Sequence, residues 1–324
     1  MTIELPGLFD LQVNGFAGVD FNAAALTADR VSDALGGMRA TGVTRCLPTL
    51  ITSPFERFAA NARVLARMTD RAIAGIHMEG PYISPEDGAR GAHLRQHVAP
   101  ASVDDFRRRQ HAADGRIALV TLAPEVPGAL RVIEHLVAEG VRVAIGHTAA
   151  TAAQLADGIS AGATLATHLG NGCAQMLPRH PNGIWELLAA DGIFASLIVD
   201  GHHLPAATVK VMIRAKGQQR TVLITDAIAA AGCAPGLYTI GDVACSLDDQ
   251  GRVSLPGSPY LAGSSLTMDR AIANTVRATG LSIDEVIPMA STIPASLLGM
   301  TTAGTLTADW DATAGELRIL GLRE

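Results

Sequence analysis

The chain has 324 residues, 48% of them hydrophobic and 17% charged, with a formal net charge of −6. That apolar content supports a large buried core and excludes intrinsic disorder, and the negative charge argues against a nucleic-acid footprint. No apolar run reaches the length that spans a bilayer.

The chain opens MTIELPGLFDLQ, without the basic region and apolar core of a secretory signal, so a soluble cytoplasmic protein is expected. Leu8–Val13 reads as a first strand, followed by the glycine-rich turn from Asn14 to Gly18. Ala28–Arg39 then reads as a helix, Thr44–Thr49 as a strand and Pro54–Met68 as a helix. The strand Ala72–Met78 ends on Glu79, just before Gly-Pro, and a loop follows from Ile83 to Pro100. Ile117–Leu122 is a strand and Pro127–Glu139 a helix. Val141–Gly146 presents His147, Thr151–Ala161 is a helix, and Ala163–Thr167 presents His168. Phe194–Val199 is the seventh strand, and Thr221–Thr225 ends the series on Asp226. Between residues 232 and 262 the pattern changes to short alternating runs, a β excursion. Helices follow from Leu266 to Ala290, and the tail from 304 to 324 can supply one or two strands. The four cysteines, at 46, 173, 233 and 245, show no CxxC spacing, and a chain of this size needs no disulfides. Both lysines, Lys210 and Lys216, fall in one short stretch, so the basic residues are almost all arginine.

This rhythm predicts an α/β fold, a (β/α)8 TIM-like barrel over 1–303 with a reduced β appendage and a short C-terminal β tail over 304–324. In such a barrel the side chains at the C-terminal strand ends converge on one mouth, where the chemistry lies. Four of the strands end in an ionisable residue. Glu79, His147 and His168 form a three-ligand set suited to a catalytic zinc that keeps one position open. A glutamate ending an apolar strand is rarely buried unless paired or coordinated. Asp226 is then placed to take a proton, the bland alternative being an N-cap for a helix over 227–231. His77, two residues before Glu79, is either a support for the site or an ordinary core histidine. Gln12 and Asn14 share one face of the first strand. As amides they are weak metal ligands, and they either bond loop backbone or belong to the site.

Beyond these spacings, the stretches PGLFDLQVNGFAGVDF, HMEGPYIS, RGAHLRQHV, IGHTAAT, THLGNG, VDGHHL, LITDAIAAAG and AGSSLTMDRAI resemble the N-acetylglucosamine-6-phosphate deacetylase family of metal-dependent amidohydrolases. The resemblance implies that Glu79, His147 and His168 bind the metal and that Asp226 is the general acid/base. It further implies that His93 lies at the acetyl carbonyl. Ala92, Asn171, Gly172, Arg179 and His203 are its substrate-binding positions, Arg179 for the phosphate. Gln12 and Asn14 stand where a second metal would be held, so the resemblance implies one divalent metal ion per chain, zinc or iron; it separately implies a homodimer. The substrate so implied is a small-molecule amino-sugar 6-phosphate, with no nucleic acid or membrane partner. The family has Asn-Ala where this chain has Asn171-Gly172, and it carries β-sandwich strands before the PGLFD motif. Two other readings compete: an amidohydrolase acting on a different N-acylated or cyclic amide, and a catalytically silent sugar-phosphate-binding barrel.

Overall fold

A computed structural model describes residues 1–258 and 260–323. Its centre is an eight-stranded sheet of parallel strands whose order follows the chain. β1 (Thr2–Pro6) precedes it, and β2 (Leu8–Val13) is its first strand. The small hairpin β3 (Gly15–Phe16) and β4 (Val19–Asp20) and helix α1 (Ala28–Ala40) lead to β5 (Val43–Ile51). Then come α2 (Phe55–Arg67), β6 (Ile76–Glu79), α3 (Val103–Ala112), β7 (Ile117–Leu122), α4 (Ala129–Ala138) and β8 (Arg142–Ile145). The second half runs α5 (Ala152–Ser160), β9 (Leu165–Ala166), α6 (Gly183–Ala189), β10 (Phe194–Ile198), α7 (Ala206–Lys216) and β11 (Thr221–Ile224). This is the expected (β/α)8 barrel.

The reason lies in the strand sequences. Runs such as Val222-Leu223-Ile224 and Ala144-Ile145 are buried throughout, as parallel strands covered on both faces must be. The helices between them carry local start signals. α5 opens with a capping box in which Thr151 and Gln154 bond each other's backbone N–H. Of these helices, α3, α6 and α7 carry no expectation from the sequence; α3 buries Phe106, Arg109 and Ala112 beside α2 and α4, and α7 buries Val209, Met212 and Ile213.

The barrel closes between β2 and β11, where the ladder is reduced to one bridge, Val13 with Ala227. Asp226 N–H donates to Gln12 O at 2.9 Å and Asn14 N–H to Ala227 O at 2.7 Å. The excursion after β11 is a three-stranded antiparallel sheet of β12 (Gly236–Ile240), β13 (Val243–Leu247) and β14 (Val253–Ser254). Helix α8 (Met268–Thr279) and the short α9 (Ile283–Val286) and α10 (Thr292–Leu297) follow.

The tail forms β15 (Thr305–Asp311) and β16 (Glu316–Arg323), and β1 pairs antiparallel with β15 from Thr2–Asp309 to Pro6–Thr305. The first residues, counted above with the barrel, therefore belong to the appendage sheet. A pairing across some three hundred residues leaves no local signature.

Candidate metal and catalytic centre

The predicted strand ends meet at the mouth. Glu79 is the last residue of β6, whereas His147, His168 and Asp226 each lie two residues beyond β8, β9 and β11. These three have φ of 50°, 32° and 49°, the left-handed region that costs an L-residue roughly 1–2 kcal/mol. Three such residues in one place mark a functional site. Gly146 is needed just before His147, because a Cβ there would stand 2.8 Å from both Thr121 and Thr167 side-chain atoms.

Glu79 Oε1 lies 3.2 Å from His147 Nε2 and 3.1 Å from His168 Nε2, and the two ring nitrogens are 3.1 Å apart. All three side chains are buried. His147 Nδ1 sits 3.0 Å from the Ala89 carbonyl, so in the neutral ring Nδ1 carries the proton and Nε2 turns its lone pair inward. A lone pair beside a carboxylate oxygen and a second imidazole nitrogen is an arrangement that a cation stabilises. Ligands of a tetrahedral zinc with bonds of about 2.0–2.1 Å stand about 3.3 Å apart, close to the spacings here. The donor set fits a divalent cation, and the Ala89 carbonyl is the outer partner that orients such a histidine.

Gln12 and Asn14 belong to the site. Gln12 Nε2 donates to Glu79 Oε1 at 2.9 Å and to Asp226 Oδ1 at 3.1 Å, and Asn14 Nδ2 donates to Asp226 Oδ1 at 2.8 Å. Asp226 caps no helix: residues 227–231 form a bridge and a turn. Burial, with the nearby Glu79 charge, raises the Asp226 carboxyl to about 6, against the pull of His168, His203 and the Asn14 bond. Burial raises the Glu79 carboxyl, but the His147 and His168 rings packed against it outweigh that and hold it well below the ordinary carboxylate range.

His77 supports the centre from below. Its Nε2 meets Thr121 Oγ1 at 2.7 Å, which meets Thr167 Oγ1 at 2.7 Å, and burial pushes the ring down to about 4, a neutral core histidine.

His93 is buried with its ring centroid 4.3 Å from that of His147, and its Nδ1 has no partner among the described residues. Ala92 is half-buried beside it. Asn171 Nδ2 donates to the His168 carbonyl at 3.2 Å, and a Cβ on Gly172 would stand 2.8 Å from His147 Nδ1. That contact gives a physical reason for glycine at 172. His203 is braced by Asp200, Nδ1 to Oδ2 2.7 Å. Arg179 is exposed on the outward segment between Cys173 and Asn182, and its guanidinium makes no hydrogen bond or ion pair among the described residues. Arg179 is thus the predicted site residue that this chain does not draw into the cluster.

Two residues at the site carry no expectation from the sequence. Asp200 orients His203, and Asp10 is fully buried beneath Gln12, bonded to Thr225. Burial raises Asp10 to about 7, opposed first by the Thr225 hydroxyl. An aspartate inside an otherwise apolar strand, two residues before Gln12, was the available signal.

Residues 3–314 match the amidohydrolase family. The N-acetylglucosamine-6-phosphate deacetylase of Bos taurus is 35% identical, over 92% of this chain and 75% of that protein. The N-acetylgalactosamine-6-phosphate deacetylase of Escherichia coli O157:H7 is 36% identical, over 91% and 78%. The N-acetyl-D-glucosamine-6-phosphate deacetylase of Mycobacterium smegmatis, solved as a mutant in complex with N-acetyl-D-glucosamine-6-phosphate, superposes with a TM-score of 0.91. It is 30% identical, and the match covers 100% of this chain and 86% of that one. The chain belongs to the amidohydrolase family, in its N-acetylglucosamine-6-phosphate deacetylase branch.

Proposed function

We propose that this chain hydrolyses the N-acetyl group of N-acetylglucosamine 6-phosphate, giving glucosamine 6-phosphate and acetate. The observation that carries the reading is the convergence of Glu79, His147 and His168 beside a buried Asp226, in a chain whose relatives bear that name. Glu79, His147 and His168 would hold one divalent cation, zinc by the donor types, which supplies Lewis-acid activation of water and of the acetyl carbonyl. Gln12 and Asn14 turn amide N–H groups toward the carboxylates; their donation supports one cation per chain.

Asp226 takes the proton from water as its oxygen bonds to the acetyl carbon, then delivers that proton to nitrogen as the C–N bond breaks. Gln12 and Asn14 fix the carboxylate for both transfers. His93, neutral because burial and the nearby His147 press it down to about 3, is the donor to the carbonyl oxygen as charge develops there. Asn171, Gly172 and His203 line the sugar, and Arg179 is the phosphate anchor, for which a guanidinium is apt through two parallel hydrogen bonds. Its exposed place suits delivery to a site shared by two copies in a homodimer. We also place the enzyme in the cytoplasm, where phosphorylated sugars are held.

The 36% identity to a galactosamine-type deacetylase favours a second reading, the C4 epimer as substrate. Acetate release from N-acetylglucosamine 6-phosphate, N-acetylgalactosamine 6-phosphate and unphosphorylated N-acetylglucosamine separates them. The proposal expects the highest kcat/KM on the first and little on the third. Preference for the second substrate establishes the epimer reading, and turnover indifferent to phosphate overturns both.

A further inference from the structure

The seam of the barrel holds a side-chain clasp directly behind the catalytic carboxylate. Between β2 and β11 the backbone makes few bonds, and Asp10 fills the gap. Its Oδ1 accepts the N–H groups of Gln12 and Thr225, both at 3.2 Å, and its Oδ2 accepts the Thr225 hydroxyl. The Thr225 Oγ1 in turn accepts the Ala227 N–H at 3.1 Å. The residues on both sides of Asp226 are therefore tied to one buried carboxylate on the opposite strand. That strand also carries Gln12, and Asn14 follows directly at its end; the amides of both grip Asp226 Oδ1. A slip of β2 against β11 would loosen all three contacts together.

We propose that Asp10 is a positioning residue for the reaction, acting through Thr225 to hold Asp226 at its left-handed turn and in register with Gln12 and Asn14. The proposal rests on Asp226 being the base. Asp10 is fully buried, and among the described residues it hydrogen-bonds none of the three candidate metal ligands. In Asp10→Asn the shape is kept, but an amide N–H now faces the Thr225 hydroxyl, which already accepts from Ala227. The hydroxyl must then accept twice or turn away.

Asp10→Asn, Thr225→Val, Thr225→Ser and the double variant Asp10→Asn/Thr225→Val test this, with kcat, KM and metal content measured on each. Misplacement by about 1 Å costs about a hundredfold in rate. Asp10→Asn and Thr225→Val should each lower kcat by roughly ten- to a hundredfold, with KM within about twofold and metal content unchanged. Thr225→Ser, which keeps the hydroxyl, should restore kcat to within about threefold. The double variant should fall no further than the worse single one, because both break one unit. Wild-type kcat in Asp10→Asn overturns the proposal, as do multiplied losses in the double variant, a Thr225→Ser as poor as Thr225→Val, or metal loss alongside the rate loss. If Asp10→Asn does not fold, the Thr225→Val and Thr225→Ser pair decides by the same criteria. Asp226→Asn separates the two readings. Retained turnover there removes the base and this inference with it, whereas a dead Asp226→Asn beside fully active Asp10→Asn and Thr225→Val removes this inference alone.

Discussion

Gly172→Ala presses on the geometry of the centre without replacing any of its metal-ligating or proton-transferring side chains. Gly172 has φ of +56°, and an added Cβ would stand 2.8 Å from His147 Nδ1, 3.1 Å from His147 Cε1 and 3.1 Å from His168 Cε1. Comfortable carbon contacts lie at about 3.5–4.0 Å, so the two rings must yield by roughly half an ångström or more. His147 cannot swing freely, because its Nδ1 is held 3.0 Å from the Ala89 carbonyl. Nor can the loop back away easily, since Thr148 N–H donates to the Gly172 carbonyl at 3.2 Å. The left-handed backbone adds about 1–2 kcal/mol of strain. Disturbing what orients a metal-binding histidine costs about 10–100-fold in affinity, and kcat/KM should fall by about a hundredfold. Metal titration after chelator treatment, with acetate release on the same samples, reads both. A Gly172→Ala protein with wild-type metal affinity and wild-type kcat/KM would refute the placement of residue 172 against the two imidazoles.

Other outcomes follow from the same geometry. With Asp226 as the proposed base, its carboxyl raised to about 6 by burial and Glu79, kcat/KM should fall as pH drops through about 6 and level off above it. A pH profile flat down to 4.5 would contradict the assignment of the base. Arg179→Ala should raise KM for the phosphorylated sugar about tenfold or more while leaving kcat within a few-fold, and unchanged kinetics would remove Arg179 from the phosphate site. Lys216 Nζ donates to the carbonyls of Leu187 and Ala190 at 2.8 and 2.6 Å, closing the end of α6. Hydrogen bonds from a charged group are worth about 1.5–3 kcal/mol, so Lys216→Met should lower stability in denaturant by about that much and leave kcat unchanged. An altered kcat would mean that the far end of the barrel communicates with the mouth.

The parts of this molecule that were legible in the sequence are those encoded locally. Apolar runs ending in Glu79, His147, His168 and Asp226 announce themselves, because a charge or imidazole at the end of a buried strand needs a reason. The barrel follows from the alternation of those runs with capped helices. Contacts made across the chain were not legible. β1 finds its partner in Thr305–Asp311, and Asp10 finds Thr225 across 215 positions. Asp226 could be read as a helix cap until the chain beyond it was seen to turn back, with Ala227 bridging Val13. Gln12 and Asn14 were ambiguous for a similar reason. An amide says nothing of its partners until the carboxylates it bonds, Glu79 and Asp226, are brought to it by the closing of the barrel.

The proposed chemistry needs one buried aspartate, Asp226, to move protons beside a metal that Glu79, His147 and His168 would hold. The most direct measurement is acetate release from N-acetylglucosamine 6-phosphate together with metal content, on wild-type protein and on Asp226→Asn. General acid–base groups contribute about 10²–10⁴-fold. The prediction is one divalent metal per chain in both proteins and a loss of kcat of that size in the variant. An Asp226→Asn that has lost its metal, or that still turns over at the wild-type rate, would contradict it.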